Sequence, residues 1–261
     1  MRPLLILVGI AALAWVAPAL AAGKPHDDKA PTAPVAVTAR DRAEVARMDP
    51  LAQVAFWDKV LAADPRNVEA QVKLAGALRA LGRYDEADAA VGQALVIEPD
   101  NVEALLEEAR ERIAAGHGFA AIEPAQQAER LAPHDWRAPS LLAIALEQDQ
   151  RDDEALAAHR LALSLAPDNP AALTNLGMFE AAHGQPADAE ALLRKAVSEP
   201  GATAQVRQDL ALLLGLQGRL AEAEALERQD LPPAAVENNL AYFRAAAHGD
   251  PRTWASVQTS P

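Results

Sequence analysis

Apolar and polar positions divide the chain into stretches of different character. From Pro3 to Ala22 every residue is apolar or glycine, with Leu4-Leu5-Ile6-Leu7-Val8-Gly9-Ile10 at the centre and Arg2 in front. Residues 23–39, GKPHDDKAPTAPVAVTA, then mix proline, charge and alanine without helical period, which predicts an extended linker over residues 22–40. Beyond it apolar residues recur at helical spacing up to residue 248. Residues 170–203 show this most clearly: ALTNLGMFEAAHGQPADAEALLRKAV carries two apolar-patterned segments on either side of Gly184. Apolar residues make up 51% of the chain but aromatics only 4%, so alanine and leucine, both strong helix formers, dominate. Runs of β-branched residues are few, which argues against a sheet.

A second periodicity is superimposed on the helical one. Pro65, Pro99, Pro133 and Pro167 are spaced 34 residues apart, in the contexts VLAADPRN, LVIEPDN, RLAPHD and SLAPDN. Twelve residues before the later three stand Ala87, Ala121 and Ala155; five before them stand Ala94, Ala128 and Ala162. Gly82, Gly116 and Gly184 recur between the helical segments, with Gln150 at the corresponding place in the third unit. Glycine suits a helix C-terminus because it reaches positive φ at little cost. A 34-residue helix–turn–helix unit of this kind resembles the tetratricopeptide repeat. In the unit 170–203, Leu173, Leu176, Gly177, Gly184, Ala189, Leu193 and Ala196 match the family's pattern. A fifth unit from Ala204 keeps Leu210, Ala211, Gly218 and Ala223 before an irregular end. PLAQVAFWDKVLAADP, with Trp57 at a bulky packing position, reads as a lone second helix ahead of the first full repeat. The second and third units depart from the pattern, with Glu108 in place of leucine and Gly118 in place of an aromatic. Asn67, Asn101 and Asn169 stand where helix caps belong.

The resemblance implies an all-α superhelical solenoid of about five repeats over residues 41–248, with an N-terminal half-repeat and a C-terminal capping helix. One unit cannot bury its apolar face alone, so stacked neighbours build a continuous core and a concave face. In the family the first helix of each repeat lines that face. Carried over by position, it comprises Val72 and Gly76, Leu106 and Arg110, Ser140 and Ile144, Thr174 and Met178, and Gln208 and Leu212. The partner-binding set expected from this mapping is Val72, Leu106, Arg110, Ile144, Thr174, Met178, Gln208 and Leu212, a mostly apolar stripe on which an extended segment or a helix of a partner could lie. The competing reading is that Leu106, Ile144 and Leu212 pack against the next repeat, since stripes at helical spacing are usually core. Lys73 and Asn175 are present, but the repeated Lys/Asn set of a carboxylate clamp is not.

Charge and the first 21 residues narrow the setting. The apolar run ends in Pro18 and Ala19-Leu20-Ala21, which fits an export signal over residues 1–21 cleaved after Ala21. The alternative is an uncleaved inner-membrane anchor, for which the run is just long enough. A periplasmic location follows from cleavage. The net charge of −13 disfavours binding to nucleic acid and to anionic headgroups. With no cysteine, disulfides, thiolate metal sites and lipid attachment at an N-terminal cysteine are excluded.

After the repeats, Asp230 to Pro233 forms a stop, and Ala235, Val236, Leu240, Tyr242 and Phe243 mark an amphipathic helix suited to cover the last repeat. Residues 249–261 read as a disordered tail. LPPAAVENNLAYFRA, following such repeats and a signal, resembles the TadD-type proteins of the tight-adherence (Flp) pilus assembly system through Leu231, Pro232, Pro233, Asn239, Leu240, Ala241 and Tyr242. That resemblance implies a scaffold for assembly of a type IVb-like secretion machine, including its secretin. The repeats alone fit equally an adaptor in another envelope pathway, such as cytochrome maturation or outer-membrane protein handling. Either way the partners are proteins or peptide segments of an envelope assembly machine, not nucleic acid or a small-molecule substrate, and the membrane is reached through partners unless the signal stays uncleaved.

Catalytic patterns are missing from the sequence. It contains no phosphate-binding loop, dinucleotide fingerprint, Gly-x-Ser-x-Gly elbow or His-Glu-x-x-His motif. His26, His117, His134, His159, His183 and His248 are scattered, without helical metal-ligand spacing, and read as surface or turn residues. Glu107-Glu108 and Asp152-Asp153-Glu154 read as solvated helix faces or starts. Neither enzymatic activity nor a cofactor is expected.

Overall fold

The structure is a computed structural model and describes residues 37–248, with the side chains of 247 and 248 left aside. The proposed signal, most of the linker and the tail lie outside these residues. The described chain forms thirteen α-helices and no strand. Two lead: α1 (Ala39–Val45) and α2 (Pro50–Ala63). Five antiparallel pairs follow: α3 (Val68–Ala80) with α4 (Tyr84–Ile97), α5 (Val102–Ala114) with α6 (Gly118–Leu131), α7 (Arg137–Gln148) with α8 (Asp152–Leu165), α9 (Pro170–Ala182) with α10 (Pro186–Ser198), and α11 (Ala204–Leu216) with α12 (Leu220–Glu227). The last helix is α13 (Pro233–His248). This is the tetratricopeptide-repeat solenoid that the period predicts.

The start of the domain differs from expectation. Thr38 caps α1 by accepting a hydrogen bond from the Asp41 backbone, while the Asp41 carboxylate accepts one from the Thr38 backbone at 2.9 Å. This reciprocal box starts a helix inside the predicted linker. The half-repeat is thus not a lone second helix, because α2 has a seven-residue partner in front.

Each repeat is delimited by the same local chemistry. Asn67, Asn101 and Asn169 accept backbone N–H groups of the first turns of α3, α5 and α9 through their side-chain oxygens. Each of α2, α4, α6 and α8 has as its C-cap the residue before a period proline, namely Asp64, Glu98, Ala132 and Ala166. A residue before proline is pushed out of helical conformation, so the proline sets the stop. Between the helices of a pair, Gly82, Gly116, Gly184 and Gly218 take φ of 71°, 79°, 76° and 80°. The next N–H then returns to a carbonyl in the last turn, as in Arg83 to Leu78 at 3.0 Å and Arg219 to Leu214 at 2.9 Å. Gln150 takes φ 60° at this place in the third repeat and makes the same closure, Arg151 N–H to Leu146 at 2.9 Å. Arg83, Arg151 and Arg219 stand before α4, α8 and α12 without capping their backbones; instead each guanidinium donates to a glutamate three residues on, Glu86, Glu154 or Glu222.

Small residues decide how close the helices come. Ala87, Ala94, Ala121, Ala128 and Ala155 have no exposed surface and Ala162 is 1% exposed. Gly177 lies against α10, where an added Cβ would stand 3.1 Å from Leu193 Cγ. Gly118, which replaces an aromatic, is pressed onto α7: a Cβ there would meet Gln148 Cβ at 2.4 Å. That departure from the pattern is therefore a packing requirement.

The irregular fifth unit has a physical cause. Its second helix is only eight residues long, and α13 turns back at Pro232-Pro233 to pack on both α11 and α12. Val236, Leu240 and Phe243 are buried in this cap. Phe243 lies over Gly215, where a Cβ would come within 2.3 Å of its ring, so glycine is required. Tyr242, expected on the buried face, is 38% exposed, because the buried positions 236, 240 and 243 leave it on the far side of the helix. Beneath the cap Glu227 is buried; Asn239 Nδ2 donates to its Oε1 at 2.8 Å, while Oε2 has no partner. Burial pushes the Glu227 carboxyl above its ordinary pKa, opposed by the Asn239 hydrogen bond.

Two stability effects follow. Gln150→Gly removes the cost of an L-residue in the left-handed region from an exposed side chain and is expected to stabilise by about 1 kcal/mol, net of glycine's own entropy. Thermal unfolding followed by circular dichroism should show a rise of about 2–4 °C. Glu227 binds its proton more tightly folded than unfolded, so its contribution is fully present below the unfolded pKa and is lost as pH rises through the folded value. Glu227→Gln keeps the acceptor for Asn239 without the charge; it should raise the melting temperature at pH 8 and make little difference near pH 4. The gain is on the order of 1 kcal/mol, because the amide nitrogen that takes the place of the unpaired oxygen also lacks a partner.

Candidate protein-binding face

The inner side of the solenoid is built from first helices. α3 packs on α5, α5 on α7, and α9 on α11, whereas among the described residues no second helix packs comparably on the second helix of the next repeat. At these three junctions first helices are closer together than second helices, which turns the stack towards them; α7 and α9 do not pack comparably, though Asn175 and Ser140 bond across them.

The mapped residues divide into two classes at a 34-residue period. Val72, Leu106, Ser140 and Thr174 are buried, with Leu106 fully inaccessible. Gly76, Arg110, Ile144, Met178 and Leu212, one turn further along each first helix, are partly exposed. Val72, Leu106 and Thr174 are thus largely covered by neighbouring helices and offer little contact surface, although Val72 still lines a shallow hollow with Glu69, Lys73 and Glu103. Gln208, their counterpart in the last repeat, stays partly exposed. The accessible part of the predicted set is Arg110, Ile144, Met178, Gln208 and Leu212.

Polar contacts run beside this stripe, and sequence reasoning missed the central one. Glu107, read as part of a solvated face, is 5% exposed. It accepts from Arg79 Nε at 2.7 Å and from Arg110 Nη1 at 3.2 Å, joining α3 to α5. Gly76 lies beside it: a Cβ there would be in ordinary contact with Glu107 Oε1, at 3.4 Å. The signal available in the sequence was the coincidence of a side-chain-free position with an acid flanked by arginines one repeat apart. Glu108 is also largely covered and pairs with Arg112, and burial raises its pKa against that attraction. Asp152, Asp153 and Glu154 are exposed at the start of α8, as expected. Further along, Asn175 Nδ2 donates to Ser140 Oγ at 2.9 Å across α9 and α7, while the buried Thr174 Oγ1 has no partner. Burial pushes the Asp209 carboxyl up, against a hydrogen bond from Gln205 at 2.8 Å.

His159, read as a surface residue, is instead a core residue at 1% exposure, with Nε2 against the Glu147 carboxylate. Its ring lies 5.3 Å from Phe179, on whose other side His183 stacks at 4.0 Å. Among the described residues no three histidine, aspartate or glutamate side chains converge as a metal site would require, and no helix is long and apolar enough to cross a membrane.

Comparison with known proteins matches this geometry. The tetratricopeptide-repeat description fits residues 54–109 and again residues 171–198. The structure is similar to the thermophilic tetratricopeptide-repeat protein TTC0263 of Thermus thermophilus, at 25% identity and a TM-score of 0.62 over 68% of this chain and 99% of that one. It is similar also to a tetratricopeptide-repeat protein of Parabacteroides merdae, at 17% identity and a TM-score of 0.64 over 78% and 80% of the two chains. Pseudomonas aeruginosa PilF shares the fold at 18% identity, with a TM-score of 0.54 over 73% and 95%. No curated protein matches the sequence. With five helix pairs in a 34-residue register and two segments that match the tetratricopeptide-repeat description, the chain has the tetratricopeptide-repeat solenoid fold.

Proposed function

We propose that this protein acts in the periplasm as a scaffold that helps assemble a Flp/Tad-type pilus or secretion machine, including its secretin. Repeats of this family mediate protein–protein interaction and typically serve as non-catalytic scaffolds, and the observation that carries the reading here is the partly exposed line Arg110, Ile144, Met178 and Leu212 along the inner face. These residues advance one repeat at a time, so an extended segment of a partner would meet them in succession. The pilus pathway is supported by the resemblance of LPPAAVENNLAYFRA, and the periplasm by the Ala19-Leu20-Ala21 site. In the terminal segment Asn239 and Leu240 have packing roles beneath the cap, while Ala241 and Tyr242 face outward.

A deletion strain tests the reading. Secretin multimers and surface pili are expected to fall sharply on deletion and to return with the wild-type gene. Met178→Glu combined with Leu212→Glu places two charges on the stripe; this variant should keep its helical circular dichroism yet fail to restore either. Intact multimers and pili in the deletion strain would sink the pilus reading, and full rescue by the double variant would remove the binding site from the inner face.

A further inference from the structure

A cleft of about 620 Å³ opens at the turn edge of the second repeat, where the start of α4, the end of α5 and the start of α6 meet. No residue of the inner stripe lines it. At its wall Glu111 is only 3% exposed, yet among the described residues its carboxylate makes no hydrogen bond and no ion pair. Arg112 and His117, which also line the cleft, attract this carboxylate through space but do not hydrogen-bond it, so it remains an acceptor for a cation that can enter. The remaining charges favour such a cation. Asp85, Asp88 and Glu123 share the lining with Glu111. The two lining arginines are already committed: Arg112 pairs with Glu108 and donates to the Ala120 carbonyl at 2.8 Å, reaching Asp88 only at 3.9 Å, while Arg151 holds Glu154 at 2.7 Å. Phe119, on the same lining, is 76% exposed and offers a ring face beside this negative region.

We propose that the cleft receives an arginine side chain of a partner protein, its guanidinium on the Glu111 carboxylate and its flat face on Phe119. Arginine suits the site better than lysine because a planar fork can engage both carboxylate oxygens and stack on a ring at once. Glu111 then has in the complex the partner it lacks in the free chain. The site is separate from the inner face and does not depend on the pilus reading: a partner held along the stripe could be gripped a second time at this edge.

Isoleucine-methyl spectra of the full chain provide the test. Ile122 lines the cleft, and Ile144, on the inner face, is the control. The probes are Nα-acetyl-arginine amide and its neutral isostere Nα-acetyl-citrulline amide. A saturable shift at Ile122 is expected with the arginine probe, with a Kd on the order of 1 mM, about tenfold weaker response to citrulline, and Ile144 unmoved. Glu111→Gln should abolish the saturation with helicity retained, and Phe119→Ala should weaken it about threefold, the scale of a modest cation–π contact. The absence of a saturable shift, equal responses to the two probes, undiminished binding by Glu111→Gln, or a response at Ile144 alone would each overturn the assignment.

Discussion

The distance between the two helices of a repeat controls the rest of this structure. Ala87 and Ala94, and their counterparts in the next two repeats, let backbones meet where a larger side chain would hold them apart. An alanine buries little apolar area, so one pair gains little on its own. Stability accumulates by stacking, through contacts between each pair and the next. This is why the ends of the stack are treated differently from its middle. α1 and α2 cover one end, and α13 covers the other by pressing Phe243 onto Gly215.

The third repeat shows how a degenerate unit keeps its register. It lacks the asparagine cap, since Trp136 precedes α7 without a side-chain cap bond, and it lacks the turn glycine. Asp135, at the place of the capping asparagines, accepts the Arg137 backbone N–H at 3.0 Å, and the Arg137 guanidinium ties Asp135 at 2.6 Å to Glu103 of the preceding repeat at 2.6 Å. Other pairs also cross between repeats: Arg42 with Glu69, Arg79 with Glu107, Arg219 with Glu190. An exposed pair contributes little energy, about 0–1 kcal/mol. Glu107 differs because it is buried between two arginines, and removing it would leave both without their acceptor beside the candidate binding face.

An acidic chain of this kind places its charge unevenly. Most carboxylates of the turns are matched by a nearby arginine, and these hold the turns in shape. Glu111 and Glu227 are buried without an ion pair, and burial pushes both carboxyls above their ordinary pKa. One lies under the C-terminal cap, where an asparagine provides half of what it needs. The other lines a cleft at the turn edge of the second repeat, which no residue of the apolar stripe lines.

Local chemistry was legible from the sequence because it is short-range. Four prolines, the small residues at fixed offsets and the capping asparagines act within a few residues of themselves, so helices, turns, repeat number and capping segment could be placed without coordinates. The inner face was legible only in half: position along a helix says which residues leave towards the groove side, but packing between helices decides that Val72, Leu106 and Thr174 are covered while Ile144, Met178 and Leu212 stay partly open. The burial of Glu107 over Gly76, of His159 against Phe179 and of Glu111 at the cleft joins residues from different helices. Sequence alone determined the repeat; tertiary structure decided which charges are buried and which apolar positions remain accessible, because both depend on how one repeat is seated on the next.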